Sequence, residues 1–475
     1  MASATALSLI ALTLVTVVLL PPRVAFLLVV GALPLEAFGR MEIGFGIPPA
    51  YVLLPCVVIG MIIRQERFSL HLREHRWLWL FLVLSGFSVL LAAPVQQGVW
   101  ESTVAVRATF FRSPIQFGLL LLHVLAFGLT LHFAQRQDWL VRALRVYLSI
   151  GGALACYAVY QVAAAHFRLP GADITWAIDL AGSSTYTYGE TRYYSGVVVD
   201  FAPRATFKES LHFAYYILSF LPLAWGLFAR PQATRRLGFR PVHVSALALL
   251  GSVALLLTFS RSGWGAFIVA LMVLVLGLKR RGGLRVLLTS TIVILAGLLL
   301  MSAVGLFTTD TGIYGVLKTR LALDRILADP RIFYLGILLE SAVHHPFLGV
   351  GVGNFAITGA AAYNSPTLHS AHGIFWAACA DSGIPAMAAL LAFFGTILIR
   401  LRRVWRTSSD EAHRCLALGL GASLAGLLAQ SFFFGDRPEM HLLFITGLAA
   451  AVVLPYRVGH SGAIDQGIPP ATGIS

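Results

Sequence analysis

The chain has 475 residues, 58% of them hydrophobic and 12% charged, with a formal net charge of +14 and a mean hydropathy of +0.80. A soluble fold is excluded, because such folds carry about a quarter of their residues charged. The apolar residues come in runs of about 16–22, which only helices can carry through hydrocarbon; a barrel would show alternating strands of about ten residues. The expected fold class is therefore all-α: a polytopic integral membrane protein of about 12–13 transmembrane helices, with a long periplasmic loop containing short helices.

Candidate spans fall at about 5–20, 23–38, 47–63, 77–94, 115–133, 146–164, 211–229, 243–258, 262–278, 286–306, 373–399, 415–433 and 441–456, placed by run length. Met1 to Leu20 has no basic leader and no cleavage-site pattern before Pro21-Pro22-Arg23, so it is read as the first span. Basic clusters recur after every second span: Arg64/Arg67/Arg73/Arg76, Arg136/Arg142/Arg145, Arg230/Arg235/Arg236/Arg240, Lys279/Arg280/Arg281/Arg285 and Arg400/Arg402/Arg403/Arg406. By the positive-inside rule these loops are cytoplasmic, and the same distribution argues against nucleic acid as a partner. The expected organisation is 1–165 N-terminal helices, 166–210 a first periplasmic loop, 211–306 core helices, 307–372 a large periplasmic loop, 373–456 C-terminal helices and 457–475 a disordered tail. Within the large loop, Ala322 to Val343 reads as an amphipathic helix at the membrane surface. The four cysteines, Cys56, Cys156, Cys379 and Cys415, lie scattered in apolar stretches and read as small hydrophobes.

In chain order, the first residues with chemical promise are Arg204 and Lys208, directly before the seventh span. Two cations on the outer side run against the positive-inside bias and suit an anionic ligand; a loop salt bridge to Glu209 or Asp200 is the alternative. Arg261, in Thr258-Phe259-Ser260-Arg261-Ser262-Gly263-Trp264 between two spans, offers a fork of donors to phosphate, or else snorkels to the interface. Arg331 opens a helix-like run ending at Glu340. The glycines of His345-Pro346-Phe347-Leu348-Gly349-Val350-Gly351-Val352-Gly353-Asn354-Phe355 permit close backbone approach. His372 stands at the outer mouth of the long apolar run 373–399, where a histidine can act as a base or serve structure alone. His369 lies three residues earlier, and no set of metal-ligand residues surrounds the pair. Asp381, about two and a half helical turns below His372, reads as a packing or buried polar residue.

Together these stretches resemble the O-antigen ligase and polymerase superfamily of bacterial membrane glycosyltransferases. The resemblance rests on Leu257 to Trp264 as its Ser-Arg turn, on His345 to Phe355 as its glycine stretch, and on His372 with Gly383 eleven residues on as its histidine motif. Arg204 and Arg331 resemble its other two outer arginines, and the match covers about 200–400, the remaining spans agreeing only in hydropathy. Gly373 stands where the family usually has Asn, Ser or Gln, and Asp381 where it usually has Glu. The resemblance implies glycan transfer on the periplasmic face of the bacterial inner membrane. The donor is an undecaprenyl-diphosphate-linked glycan, and the acceptor is a hydroxyl of lipid A-core or of another glycan. The implied enzyme is metal-independent and inverting, uses no cofactor, and has membrane lipids but no nucleic acid as partners. His372 would be catalytic, with Arg204, Arg261, Arg331 and Lys208 on the diphosphate and Asp381, Gly383, Gly351 and Asn354 in support. A polymerase would use the same residues. A flippase or other transporter would instead place charges near the membrane midplane, where these spans are nearly charge-free.

Overall fold

The structure, a computed structural model, describes residues 12–36, 38–42, 46–68, 74–96, 106–171, 176–179, 192–194, 197–199, 203–207, 209–278, 280–303, 330–356, 371–435 and 438–454. It is a helical bundle, and the fold is the expected polytopic all-α membrane class. A short helix α1 (12–19) leads into α2 (Pro22–Ala32), α3 (Pro49–Ile63), α4 (Arg76–Gln96), α5 (Val106–Ala134) and α6 (Gln137–Phe167). Next come α7 (Ser210–Phe228), α8 (Pro231–Arg236), α9 (Pro241–Leu257), α10 (Arg261–Gly277) and α11 (Arg280–Ala303). After the large loop follow α12 (Pro330–His344), α13 (Ile374–Ser382), α14 (Ile384–Thr407), α15 (Glu411–Ser431) and α16 (Met440–Val453). Among the described residues six of these helices are long and apolar enough to cross a bilayer, and six more are apolar but shorter.

The pattern of burial is that of a membrane protein. Leu288, Ile292, Leu295 and Leu299 line one face of α11 and are each more than half exposed, an apolar stripe that suits acyl chains. Polar groups turn inward: the Thr130, Ser423 and Thr446 side chains are buried, and the threonines donate to carbonyls four residues back. At the centre α7 is buried along nearly its whole length. Gly226 of α7 and Gly419 of α15 let the two backbones cross closely, a Cβ on Gly226 lying 3.4 Å from the Gly419 Cα. Without water to drive helices together, such close van der Waals contact is a main source of association.

Three expectations change. The run 373–399 is two helices, because Gly383 sits at φ +90° and no side chain fits there; a Cβ would fall on the Phe347 carbonyl. The span expected at 23–38 stops at Ala32, just before Pro34. Short strands also form between α2 and α3 and in the loop expected at 166–210. β1 (Phe38–Glu42) pairs antiparallel with β2 (Gly46–Ile47) and parallel with β3 (Trp176–Asp179), while β4 (Arg192–Tyr194) pairs with β5 (Val197–Val199). Of the helix expected at Ala322 to Val343, the part from Pro330 onward is present, and the rest lies outside the described residues.

Candidate active site

The bundle has a basic end and an opposite end that gathers the candidate residues. At the basic end, Arg64 donates to the Val18 and Leu19 carbonyls (2.9 and 2.5 Å) and Arg145 to the Gly238 carbonyl (3.2 Å). There too Arg230 pairs with Glu411 at 3.1 Å, and Arg285 lies over the Phe228 ring. At the other end, the start of α10 meets the start of α7, a Cβ on Gly263 lying 3.0 Å from the Ala214 Cβ. The end of α15 then joins α7 to α13: Tyr215 and Ser431 hydroxyls lie 2.8 Å apart, and the Phe432 carbonyl packs on Gly373. The turns bearing Arg204, Arg261 and His372 therefore share one end of the bundle.

Each of these turns holds a non-glycine residue in the left-handed region: Ala205 at φ +49°, Phe259 at +52° and His372 itself at +49°. Such backbone costs about 1–3 kcal/mol and persists only where neighbours over-determine it. The neighbours are visible. The Ala205 N–H donates to Gln161 Oε1 (2.8 Å) and the Thr206 hydroxyl to the Pro34 carbonyl (2.6 Å), while Phe207 packs on Phe213, Tyr216 and His441. In the Ser-Arg turn the Ser260 N–H donates to Thr258 Oγ1 (3.3 Å), and Ser260 Oγ caps α10 by accepting the Gly263 N–H (3.1 Å). Arg261 is thus the first residue of α10, its cation added to the positive end of a helix dipole. The His372 ring lies 5.7 Å from that of Tyr334 on α12, three positions after Arg331.

The glycine stretch is a non-helical backbone segment lodged among helices, and its groups are satisfied from α13. The Val350 and Gly351 N–H groups donate to the Ala380 and Asp381 carbonyls (both 2.9 Å). The Asp381 carboxylate accepts the Gly353 N–H (2.8 Å) and the Phe355 N–H (3.0 Å), and the Ile384 N–H reaches the Pro346 carbonyl (2.8 Å). Asn354 turns its amide to the Val350 carbonyl (3.0 Å). Gly349, Gly351 and Gly353 all have positive φ, and a Cβ on Gly349 would strike the α13 backbone. Asp381, Gly383, Gly351 and Asn354 thus hold the segment that follows α12 against the helix that follows His372. A small core of Leu338, Val350, Phe355 and Ala380 seals the same junction. Removing the carboxylate strands two N–H donors at about 1–3 kcal/mol each. Asp381→Ala should therefore lower the thermal midpoint of the detergent-solubilised protein by several degrees, and Asp381→Asn by less. An unchanged midpoint for Asp381→Ala in a fluorescence-detected melting series would show that these bonds do not hold the junction.

Some features were not read from the sequence. Arg112 on α5 donates from Nε to the Gly353 carbonyl (2.7 Å), so the Gly353 peptide is gripped by α5 on one side and Asp381 on the other. The signal it carries is the one that marks Arg204: a cation outside the basic loops. Tyr334 had no signal, since its contact with His372 joins two loop-flanking helices. Lys208 and His369 lie outside the described residues, and of Arg331 only the backbone is described.

Residues 246–391 match the family model described as O-Antigen ligase. That stretch runs from α9 into α14 and includes Arg261, Arg331, the glycine stretch, His372 and Asp381, but not Arg204 or Lys208. Among curated proteins, none matches the chain.

Proposed function

We propose, from the match of residues 246–391 to the O-Antigen ligase family model, that this chain is an O-antigen ligase-type glycosyltransferase of the bacterial inner membrane. It moves a glycan from an undecaprenyl-diphosphate donor to an acceptor hydroxyl of lipid A-core or another glycan, on the periplasmic face. The carrying observation is that the turns bearing Arg204, Arg261 and His372 sit at the bundle end opposite the basic loops. The basic loops belong to the cytoplasm, which leaves the periplasm for the site.

The reaction is a single inverting displacement. The acceptor oxygen attacks the anomeric carbon as the bond from that carbon to the diphosphate oxygen breaks. The acceptor proton passes to His372, and the bonding electron pair leaves with the diphosphate. Arg204 and Arg261, with Arg331 and Lys208, hold the diphosphate and stabilise the charge that grows on it. In this reading the arginines do the electrostatic work that a divalent metal does in other transferases.

One experiment tests the reading. A water-soluble, short-prenyl diphosphate-linked glycan, supplied outside right-side-out membrane vesicles in EDTA, should be consumed and its sugar found on the acceptor. Consumption only after permeabilisation would overturn the sidedness. Dependence on added Mg²⁺ would overturn the metal-independent mechanism, and no transfer under any condition would overturn the activity.

A further inference from the structure

A second polar feature at the same end is unused by this chemistry. A cavity of about 50 Å³ lies where the outer ends of α2, α3, α7 and α16 meet, and its walls include Glu36, Glu439, His212, His441, Tyr215 and Phe207. Phe207 donates its N–H to the Arg204 carbonyl (2.9 Å), so one wall is the Arg204 turn itself. Another wall is Phe434, just past α15; two residues earlier, Phe432 packs on Phe375 at 4.8 Å and against Gly373. The cavity and the His372 turn thus both adjoin the end of α15.

The wall chemistry narrows the occupant. His441 is 9% exposed, and its Nδ1 meets the Tyr147 hydroxyl at 3.3 Å. His212 Nε2 lies 3.8 Å from Glu36 Oε1, while its Nδ1 is buried without a partner. A buried nitrogen in this state calls for a hydroxyl or water to complete it. Two carboxylates repel a phosphate and accept hydroxyl protons, and the Phe207 and Tyr215 rings offer apolar faces. A metal ion is a poor fit, because among the described residues no three His, Cys, Asp or Glu side chains are placed so that they could hold one. The volume suits a few waters, or the hydroxyls along one edge of a sugar ring in their place.

We propose that this cavity is a saccharide subsite, in which Glu36 and Glu439 accept hydroxyls of a sugar ring beside the arginine-held diphosphate. It rests on the glycosyltransfer reading and adds to it a place where the glycan is recognised. The sugar belongs either to the acceptor or to the donor chain, and the two sources are separable by kinetics.

The test uses the full-length protein in detergent, with methyl glucoside, methyl galactoside and N-acetylglucosamine as probes in saturation-transfer NMR. At least one glycoside should receive saturation from the wild type, and Glu36→Gln with Glu439→Gln should weaken its binding by about tenfold or more, the scale of a lost charge-assisted hydrogen bond. Inorganic pyrophosphate should not displace the glycoside, and Arg204→Ala should still bind it. In transfer assays the double variant should raise KM for the acceptor alone if the acceptor sugar sits here, or for the donor alone if the donor sugar does. Glu36→Gln, nearly isosteric and at a partly exposed side chain, serves alone if the double variant does not fold. Equal glycoside binding by wild type and variants, or displacement by pyrophosphate, overturns the subsite. Because binding is read without turnover, a protein that binds the glycoside but transfers nothing would instead count against the glycosyltransfer reading.

Discussion

His372→Ala should lower turnover by about 10²–10⁴, the range for a positioned acid–base group, while donor binding stays near the wild-type value. The separation follows from the division of labour: the diphosphate is held by arginines on other turns, and the imidazole meets only the acceptor proton. Backbone geometry supplies a sharper form of the test. His372 sits at φ +49°, a conformation glycine adopts freely. His372→Gly should therefore fold at least as well as wild type, with a gain of up to about 1 kcal/mol, and still be as slow as His372→Ala. His369→Ala and His345→Ala should be much milder, since neither has the eleven-residue spacing to Gly383. If His372→Gly turned over normally, the left-handed turn would matter and the imidazole would not. If donor binding and turnover fell together, the histidine would be a binding or structural residue.

Arg261→Ala should cost about 10²–10³ in turnover, the scale seen when one preorganised donor to a developing negative charge is removed. Arg261→Lys should recover only part of this, because an ammonium keeps the charge and loses the fork that matches two phosphate oxygens. The fold should tolerate both changes. The N-terminus of α10 is held by Ser260, which caps it, and by Trp264, whose indole N–H donates to the Leu255 carbonyl at 3.1 Å. Ser260→Ala provides the contrast, a loss of about 1 kcal/mol of stability with a modest loss of rate. The readout is single-turnover transfer beside direct donor binding. Normal turnover by folded Arg261→Ala would make Arg261 an interfacial arginine with no part in the reaction.

Several of these features are legible in the amino-acid sequence. Run length and the alternation of arginine clusters mark the membrane class and the phase of the helices, because hydrocarbon forbids most other solutions. The cations at Arg204 and Arg261 stand out for the same reason, lying where the basic bias predicts none. Arg112 carries that signal too, but it lies within the first turns of a long helix and its partner, the Gly353 carbonyl, is 241 residues away. The break at Gly383 is hidden because one glycine inside an apolar run leaves the hydropathy unchanged. The helix breaks where Gly383 takes φ +90°, and only glycine fits there because the Phe347 backbone occupies the place of a Cβ.

The sequence by itself determined the solvent of this protein, the class of its fold and the residue types available for chemistry. Those properties are set by local composition and by the cost of burying charge, which need no partner to be evaluated. The tertiary structure decided which residues meet. It brought Asp381 to the Gly353 and Phe355 amides, so that this carboxylate closes a backbone junction. It also gathered Glu36, His212, Glu439 and His441 around one cavity, from the end of α2, the first turn of α7 and the start of α16. Positions so far apart in the chain are joined only when helices pack, because loop connections say little about which faces come together. The left-handed backbone at Ala205, Phe259 and His372 is of the same kind: it is held by contacts the fold supplies.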